Sequence, residues 1–235
     1  MTGATRGTRI AVVIPVFNER ESLPLVVAAI SPSLRADVVV VDNGSTDGTD
    51  AVARGLPVRV VREPRRGYGS ACLAGVRALE AAPPDVLVFL DGDYSDHPEE
   101  MSALVAAVES GADLAIGSRT LGRAEKGALM PQARAGNALA CFLIRLLYRH
   151  RYTDLGPFRA LRWDAYGRLG MRDAGFGWTC EMQVKALRRG LRVVEVPVSY
   201  RRRVGVSKIS GTLSGTLRAG AKILWTIARY ALERP

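Results

Sequence analysis

The sequence predicts an α/β protein built on a mostly parallel, Rossmann-like central sheet with helices on both faces. Three observations predict it. Short apolar runs rich in β-branched residues alternate with helix-like segments, the connections between them are short, and polar clusters stand at or near the ends of the apolar runs. Residues 9–16 (RIAVVIPV) read as a buried strand. Residues 21–30 read as a helix, with Pro24 confined to its first turn, where no N–H is needed. Residues 37–41 (DVVVV) are a second strand, 46–54 a short helix and 58–62 a third strand. Residues 70–81 form a helix, 85–90 (DVLVFL) a fourth strand, 98–110 a helix and 113–117 a fifth strand.

The pattern changes after Gly117. Residues 121–132 read as a loop and 134–151 as a helix, apolar in its middle and basic at its end. Residues 155–161 are expected as a strand and 179–190 as a helix. Residues 191–198 are expected as an edge strand, because Pro197 cannot donate to a ladder. A final helix is expected over 212–233. It places Leu213, Leu217, Ala221, Leu224, Ala228 and Ala231 on one face, Arg218, Lys222 and Arg229 on another, and Trp225 at the edge. Such a basic amphipathic helix suits a membrane interface, a second subunit or the protein's own core, and the sequence leaves the three open.

A chain of 235 residues with 48% hydrophobic and 24% charged residues is ordinary globular composition, and no repeat or low-complexity segment divides it. The three cysteines, Cys72, Cys141 and Cys180, have no metal-ligand spacing and read as small buried hydrophobes in a reducing compartment. Neither a secretory leader nor a membrane-spanning run is evident, so the expected location is cytoplasmic, at most peripheral to the inner face of the membrane. The net charge of +10 suits phosphorylated substrates, an anionic membrane or nucleic acid. Nucleic acid is set aside, since no basic run interleaved with aromatic residues and no nucleic-acid motif is present.

Chemistry gathers at the strand ends. Asp91-Gly92-Asp93 directly follows the fourth strand, and two carboxylates around a glycine suit a hard divalent cation, Mg²⁺ or Mn²⁺, shared with substrate phosphates. Pro15-Val16-Phe17-Asn18-Glu19 ends the first strand, and the turn from Asp42 through Asn43, Gly44 and Ser45 to Thr49 ends the second. Asp42 is placed to accept hydrogen bonds from a nucleobase edge. Arg65-Arg66-Gly67-Tyr68-Gly69-Ser70 precedes a helix start, where free N–H groups and guanidinium charge would cradle a phosphate.

Together these segments resemble glycosyltransferase family 2 with the GT-A nucleotide-sugar fold, and within it the dolichol- and polyprenyl-phosphate mannose and glucose synthases. The resemblance covers roughly residues 9–210. It rests on Pro15, Phe17, Asn18 and Glu19; on Asp42 to Thr49; on the loop 65–71; on Asp91-Gly92-Asp93; on Gly117-Ser118-Arg119; and on the late basic loop with Arg202, Arg203, Gly205, Ser207 and Lys208. It implies one domain, residues 1–235, in which 9–117 hold nucleotide and metal, 118–210 hold sugar and acceptor, and 211–235 form the C-terminal helix. It implies an inverting transfer of a hexose from a GDP- or UDP-sugar to a polyprenyl phosphate. Asp91 and Asp93 would bind the metal; Pro15, Phe17, Asn18, Glu19, Asp42, Asn43, Ser45, Arg66, Gly67, Asp91 and Gly92 would bind the nucleotide.

On the acceptor side the chain departs from this pattern. Gly156-Pro157-Phe158-Arg159 replaces the usual S-G-F-R, and C-terminal membrane spans are lacking. Asp154, Glu181 and Arg202 are the catalytic candidates. Arg119, Arg134, Arg159, Trp178, Ser207 and Lys208 are the candidates for sugar and acceptor. A nucleotide-sugar mutase that rearranges its substrate without an acceptor, and a transferase to a small hydroxyl acceptor, are the alternatives. A homodimer is compatible with the sequence.

Overall fold

The computed structural model describes residues 7–205 and 213–232, with side chains of the last helix described from residue 220 onward. Seven strands form one sheet: β1 (Ile10–Val16), β2 (Asp37–Asp42), β3 (Arg59–Arg62), β4 (Val86–Phe89), β5 (Leu114–Ser118), β6 (Arg159–Arg162) and β7 (Val193–Pro197). Their spatial order is β3-β2-β1-β4-β6-β5-β7. β1 pairs in parallel with β2 and β4, β2 with β3, and β5 with β7, while β6 runs antiparallel to both β4 and β5. The sheet is therefore mostly parallel, with one reversed strand wedged between β4 and β5. β7 lies at the edge, and its Pro197 ends it, as the missing N–H requires.

The strand expected over 155–161 is shorter and later. The Asn137 amide oxygen takes the N–H of Leu155, and Arg159 donates to the carbonyl of Gly156, so 155–158 form a turn that feeds β6. Among the described residues eight α-helices surround the sheet: α1 (Leu23–Ala29), α2 (Thr49–Arg54), α3 (Tyr68–Leu79), α4 (Met101–Glu109), α5 (Pro131–Tyr148), α6 (Trp163–Leu169), α7 (Trp178–Arg188) and α8 (Leu213–Leu232). The sequence reading passed over α6; at two turns with Gly167 inside it has little periodicity to read.

The period of two along the strands divides the core. Ala11 and Val13 of β1 face one cluster with Val39, Val41, Leu87 and Phe89, covered by α3, α5, α6, α7 and α8. Val12 and Ile14 face the other with Val40 and Val88, covered by α1, α2 and α4. All three cysteines are buried and free. No helix among the described residues is long and apolar enough to cross a membrane.

This topology positions the chemistry. The carboxyl ends of β1, β2, β3, β4, β5 and β7 lie at one edge of the sheet, and the turn before reversed β6 arrives at the same edge. In an open α/β sheet this is where ligands bind.

Candidate functional site

A cavity of about 310 Å³ opens at this edge, bordered by Pro15, Phe17, Glu19, Asn43, Arg66, Gly67, Tyr68, Asp91, Gly92, Asp93, Phe176 and Arg203 among others. Its walls are tied together by side chains that stand behind them. Asn18 adopts a left-handed backbone (φ 56°) and accepts the N–H of Thr46, while its own N–H goes to Ser45 Oγ. Asp42 is buried and accepts the N–H of Ser45. Asn18, Asp42 and Ser45, expected among the nucleotide ligands, therefore brace the turn and do not border the cavity. Asn43 borders it and holds the next loop as well: its amide donates to the carbonyls of Glu63 and Arg65 and accepts the N–H of Gly67. Arg66 donates to the Asn43 carbonyl and lays its guanidinium 3.9 Å from the centre of the Phe17 ring.

The phosphate cradle expected at the start of α3 keeps its cation, Arg66, but three of its N–H groups are turned to protein: Gly69 donates to the Gly175 carbonyl, Ser70 to the Ala174 carbonyl and Gly67 to Asn43. A Cβ on Gly67 would run into the carbonyl oxygen of Ala174, and one on Gly69 into that of Asp173. These glycines admit the backbone of residues 173–175, not a phosphate. Cationic charge at the cavity comes from Arg66 and Arg203 instead.

At the end of β4, Asp91 accepts a hydrogen bond from Tyr68 Oη at 3.0 Å. Asp93 Oδ1 takes the N–H and hydroxyl of Ser95, and its Oδ2 pairs with Arg203 Nη2 at 2.7 Å. Burial first, and the neighbouring Asp93 second, push the Asp91 carboxyl up to about 7. Asp96, three residues on, is raised well above the carboxylate range by burial and then by both aspartates; its two oxygens have no hydrogen-bond partner. Two carboxylates driven against each other in a dry site call for a cation, a demand that Arg203 meets in part. The oxygen donors fit Mg²⁺ or Mn²⁺. Among the described residues no third carboxylate, histidine or cysteine completes a metal cluster, so diphosphate oxygens and water would supply the remaining ligands.

A second cavity of about 550 Å³ meets the first at Tyr68, Asp91, Phe176 and Arg203. Arg119, Arg202 and Arg203 give it a cationic side, and Leu129, Met130, Ala133, Leu155 and Pro157 an apolar one. Arg119 is fixed by Asp154, which takes its backbone N–H, Nε and Nη2 at 2.7–2.8 Å. Burial would lower the Arg119 pKa, but the hydrogen bonds and charge of Asp154 outweigh it and hold the guanidinium above its usual value. Arg202 donates to the Lys126 carbonyl at the rim.

Several expected site residues lie elsewhere. Glu181 is fully buried away from both cavities: it accepts the N–H groups of Arg172 and Asp173 and the hydroxyl of Tyr230, and pairs with Lys185. No lone pair is left for a substrate proton. Trp178 is core, packed edge-on against Phe89. Arg159 is fully buried and satisfies the carbonyls of Gly156 and Thr179 and the Gln183 amide. Asp154 is a buried anchor for Arg119, not a free base. Arg134 is exposed on α5 and borders neither cavity. Ser207 and Lys208 lie outside the described residues.

Tyr68 and Arg203 passed in the sequence as members of their motifs, and Phe176 carried no signal at all. It stands on a loop whose position is set by Glu181 and by Asp173, whose carboxylate binds the Gly175 N–H and Lys222.

The comparisons with known proteins agree with this architecture. The model of the family described as glycosyl transferase family 2 matches residues 11–170. An uncharacterised glycosyltransferase of Mycobacterium tuberculosis is 43% identical over 215 residues, covering 91% of this chain and 95% of that protein. A polyprenol monophosphomannose synthase of Mycolicibacterium smegmatis is 36% identical over 220 residues, covering 87% and 82%. Among solved structures, glucosyl-3-phosphoglycerate synthase of M. tuberculosis in complex with Mn²⁺, uridine diphosphate and phosphoglyceric acid superposes with a TM-score of 0.76 at 22% identity, over 97% of this chain and 80% of that one. That likeness shows the fold, which is GT-A. The six forward strands, the acidic pair after β4 and the matched family model together establish that this chain belongs to glycosyltransferase family 2.

Proposed function

We propose that the protein transfers a hexose, with inversion, from a GDP- or UDP-sugar to a polyprenyl phosphate. The observation that carries the reading is the pair of cavities meeting at Asp91 and Arg203. The first suits a nucleotide diphosphate. The second is cationic on one side and apolar on the other, which suits a phosphate attached to a hydrocarbon chain. The mannose synthase relative acts on a substrate of that class, which supports the reading.

In this scheme Arg66 and Arg203 bind the donor, Tyr68 orients Asp91, and Arg119 and Arg202 orient the acceptor phosphate. An acceptor oxygen attacks the anomeric carbon as its bond to the diphosphate breaks, and the nucleoside diphosphate leaves with that electron pair. Asp91 and Asp93 would hold a divalent metal, which would supply charge neutralisation to the leaving diphosphate. The acceptor phosphate is already ionised, so no general base is needed. This agrees with the engagement of the two acids that the sequence offered as bases, Asp154 and Glu181.

The test incubates radiolabelled GDP- and UDP-hexoses with polyprenyl phosphate and Mg²⁺ or Mn²⁺. A lipid-soluble labelled product is expected from one donor. Absence of such product from every donor would defeat the proposal, and a donor isomer of unchanged mass formed without acceptor would establish a mutase in its place.

A further inference from the structure

From residue 220 onward the final helix turns its apolar face outward. Thr226, Ile227 and Tyr230 are buried against the protein, whereas Ala221, Leu224, Trp225, Ala228 and Ala231 point outward. Its neighbour α5, tied to it by a hydrogen bond from Tyr148 Oη to the Ile227 carbonyl, also exposes apolar side chains: Leu139 is 48% exposed, Phe142 59% and Leu146 65%. The spacing i, i+3, i+7 puts these three on one stripe. Arg134, Arg145 and Arg149 fall along one edge of that stripe and are exposed. On α8, Lys222 and Arg229 stand 4.8 and 5.1 Å from the centre of the Trp225 ring.

From these faces we infer that the outward surfaces of α5 and α8 dock the protein on an anionic lipid bilayer. Charge selects this occupant. Between residues 126 and 153 the chain carries five cations and no acid. An apolar stripe edged by arginine, with a tryptophan beside it, is the layout of a helix lying in a membrane interface, where long cationic side chains reach back to the headgroups. A second copy of this chain is the weaker occupant, since a two-fold contact through this face would set its unopposed cations against one another. The second cavity opens beside the start of α5, where Leu129, Met130 and Ala133 border it and Met130 is 46% exposed. Docking of α5 would bring that end of the cavity close to the bilayer.

The test needs neither sugar donor nor acceptor, so its failure would leave the transferase reading standing. The full chain is sedimented with vesicles of phosphatidylcholine alone and with roughly one-third phosphatidylglycerol. Binding to the anionic vesicles only, weakened by salt, is expected. Arg145→Gln with Arg149→Gln should reduce partitioning about 30-fold. Leu139→Gln, Phe142→Gln and Leu146→Gln together should reduce it about 100-fold. All five side chains are exposed, and an unchanged thermal melt confirms folding of each variant. Equal binding to neutral vesicles, binding unaffected by either set of substitutions, or no binding at all would each overturn the proposal. So would a stable dimer that the Leu139, Phe142 and Leu146 substitutions convert to monomer.

Discussion

Replacing Arg203 with methionine should have opposite effects on the two ligands of the acidic site. In the structure Arg203 Nη2 sits 2.7 Å from Asp93 Oδ2, with the arginine side chain 31% exposed and the aspartate 6%. A charge-assisted hydrogen bond of this kind contributes about 1.5–3 kcal/mol, and the partial exposure of the arginine reduces that to about 1–2 kcal/mol. A cation binding through Asp93 must displace this contact. Removing it should therefore tighten Mn²⁺ binding about 5- to 30-fold. The Asp91 carboxyl acts against this gain near neutral pH, because losing Arg203 raises its pKa further and a proton then competes with the cation, so the comparison is made at about pH 8. Once released, the guanidinium is free to meet the diphosphate, so the same variant should bind the metal–nucleotide complex about 10-fold more weakly. Titration calorimetry with Mn²⁺ alone, then with GDP or UDP in saturating Mn²⁺, separates the two effects. Unchanged or weaker Mn²⁺ affinity in the variant would refute the idea that Arg203 stands in for the cation.

Metal binding should depend on pH through Asp91. Its carboxyl is raised to about 7 in the folded protein, above its value of 3.8 in an unfolded chain. The metal-free fold thus keeps a proton there that the unfolded chain releases, and this contribution to stability is full below pH 3.8 and lost as pH rises through about 7. A bound cation replaces that proton, so the rise in Tm produced by saturating Mn²⁺ should grow from about pH 5 to about pH 8; a rise that is the same at both would contradict the assignment. Glu181→Gln breaks a buried ion pair and should destabilise by about 3–5 kcal/mol, lowering Tm by roughly 6–20 °C. Turnover per folded molecule should persist, and its selective loss would restore Glu181 as a base. Gly69→Ala should displace residues 173–175 at a cost of about 1–3 kcal/mol and carry Phe176 with them, weakening nucleotide binding measured by calorimetry; wild-type affinity would show that this loop does not shape the cavity.

Much was determined by the sequence alone. The β-branched runs at the centre of the sheet become strands because both of their faces are buried, and the carboxyl ends of the forward strands share one edge, so the acidic pair, the Phe17 turn and the Asn43 turn had to converge. Local pattern could not decide which polar side chains in those turns reach a ligand. Asp42 satisfies an N–H of its own turn, but Asn18 and Ser45 satisfy backbone N–H groups between two loops, and Asn43 does the same for a third, an accounting that exists only once the loops are adjacent. The glycines at 67 and 69 read as a phosphate cradle because a glycine records close approach without naming what approaches, and the partner lies more than one hundred residues away. Glu181, Trp178 and Arg159 read as sugar-side residues for the same reason: their types suit binding, and only packing shows that the core encloses them. The direction of β6, and which face of α8 is buried, were likewise set by tertiary contacts, since an apolar stripe on a helix can be matched by protein or left facing outward.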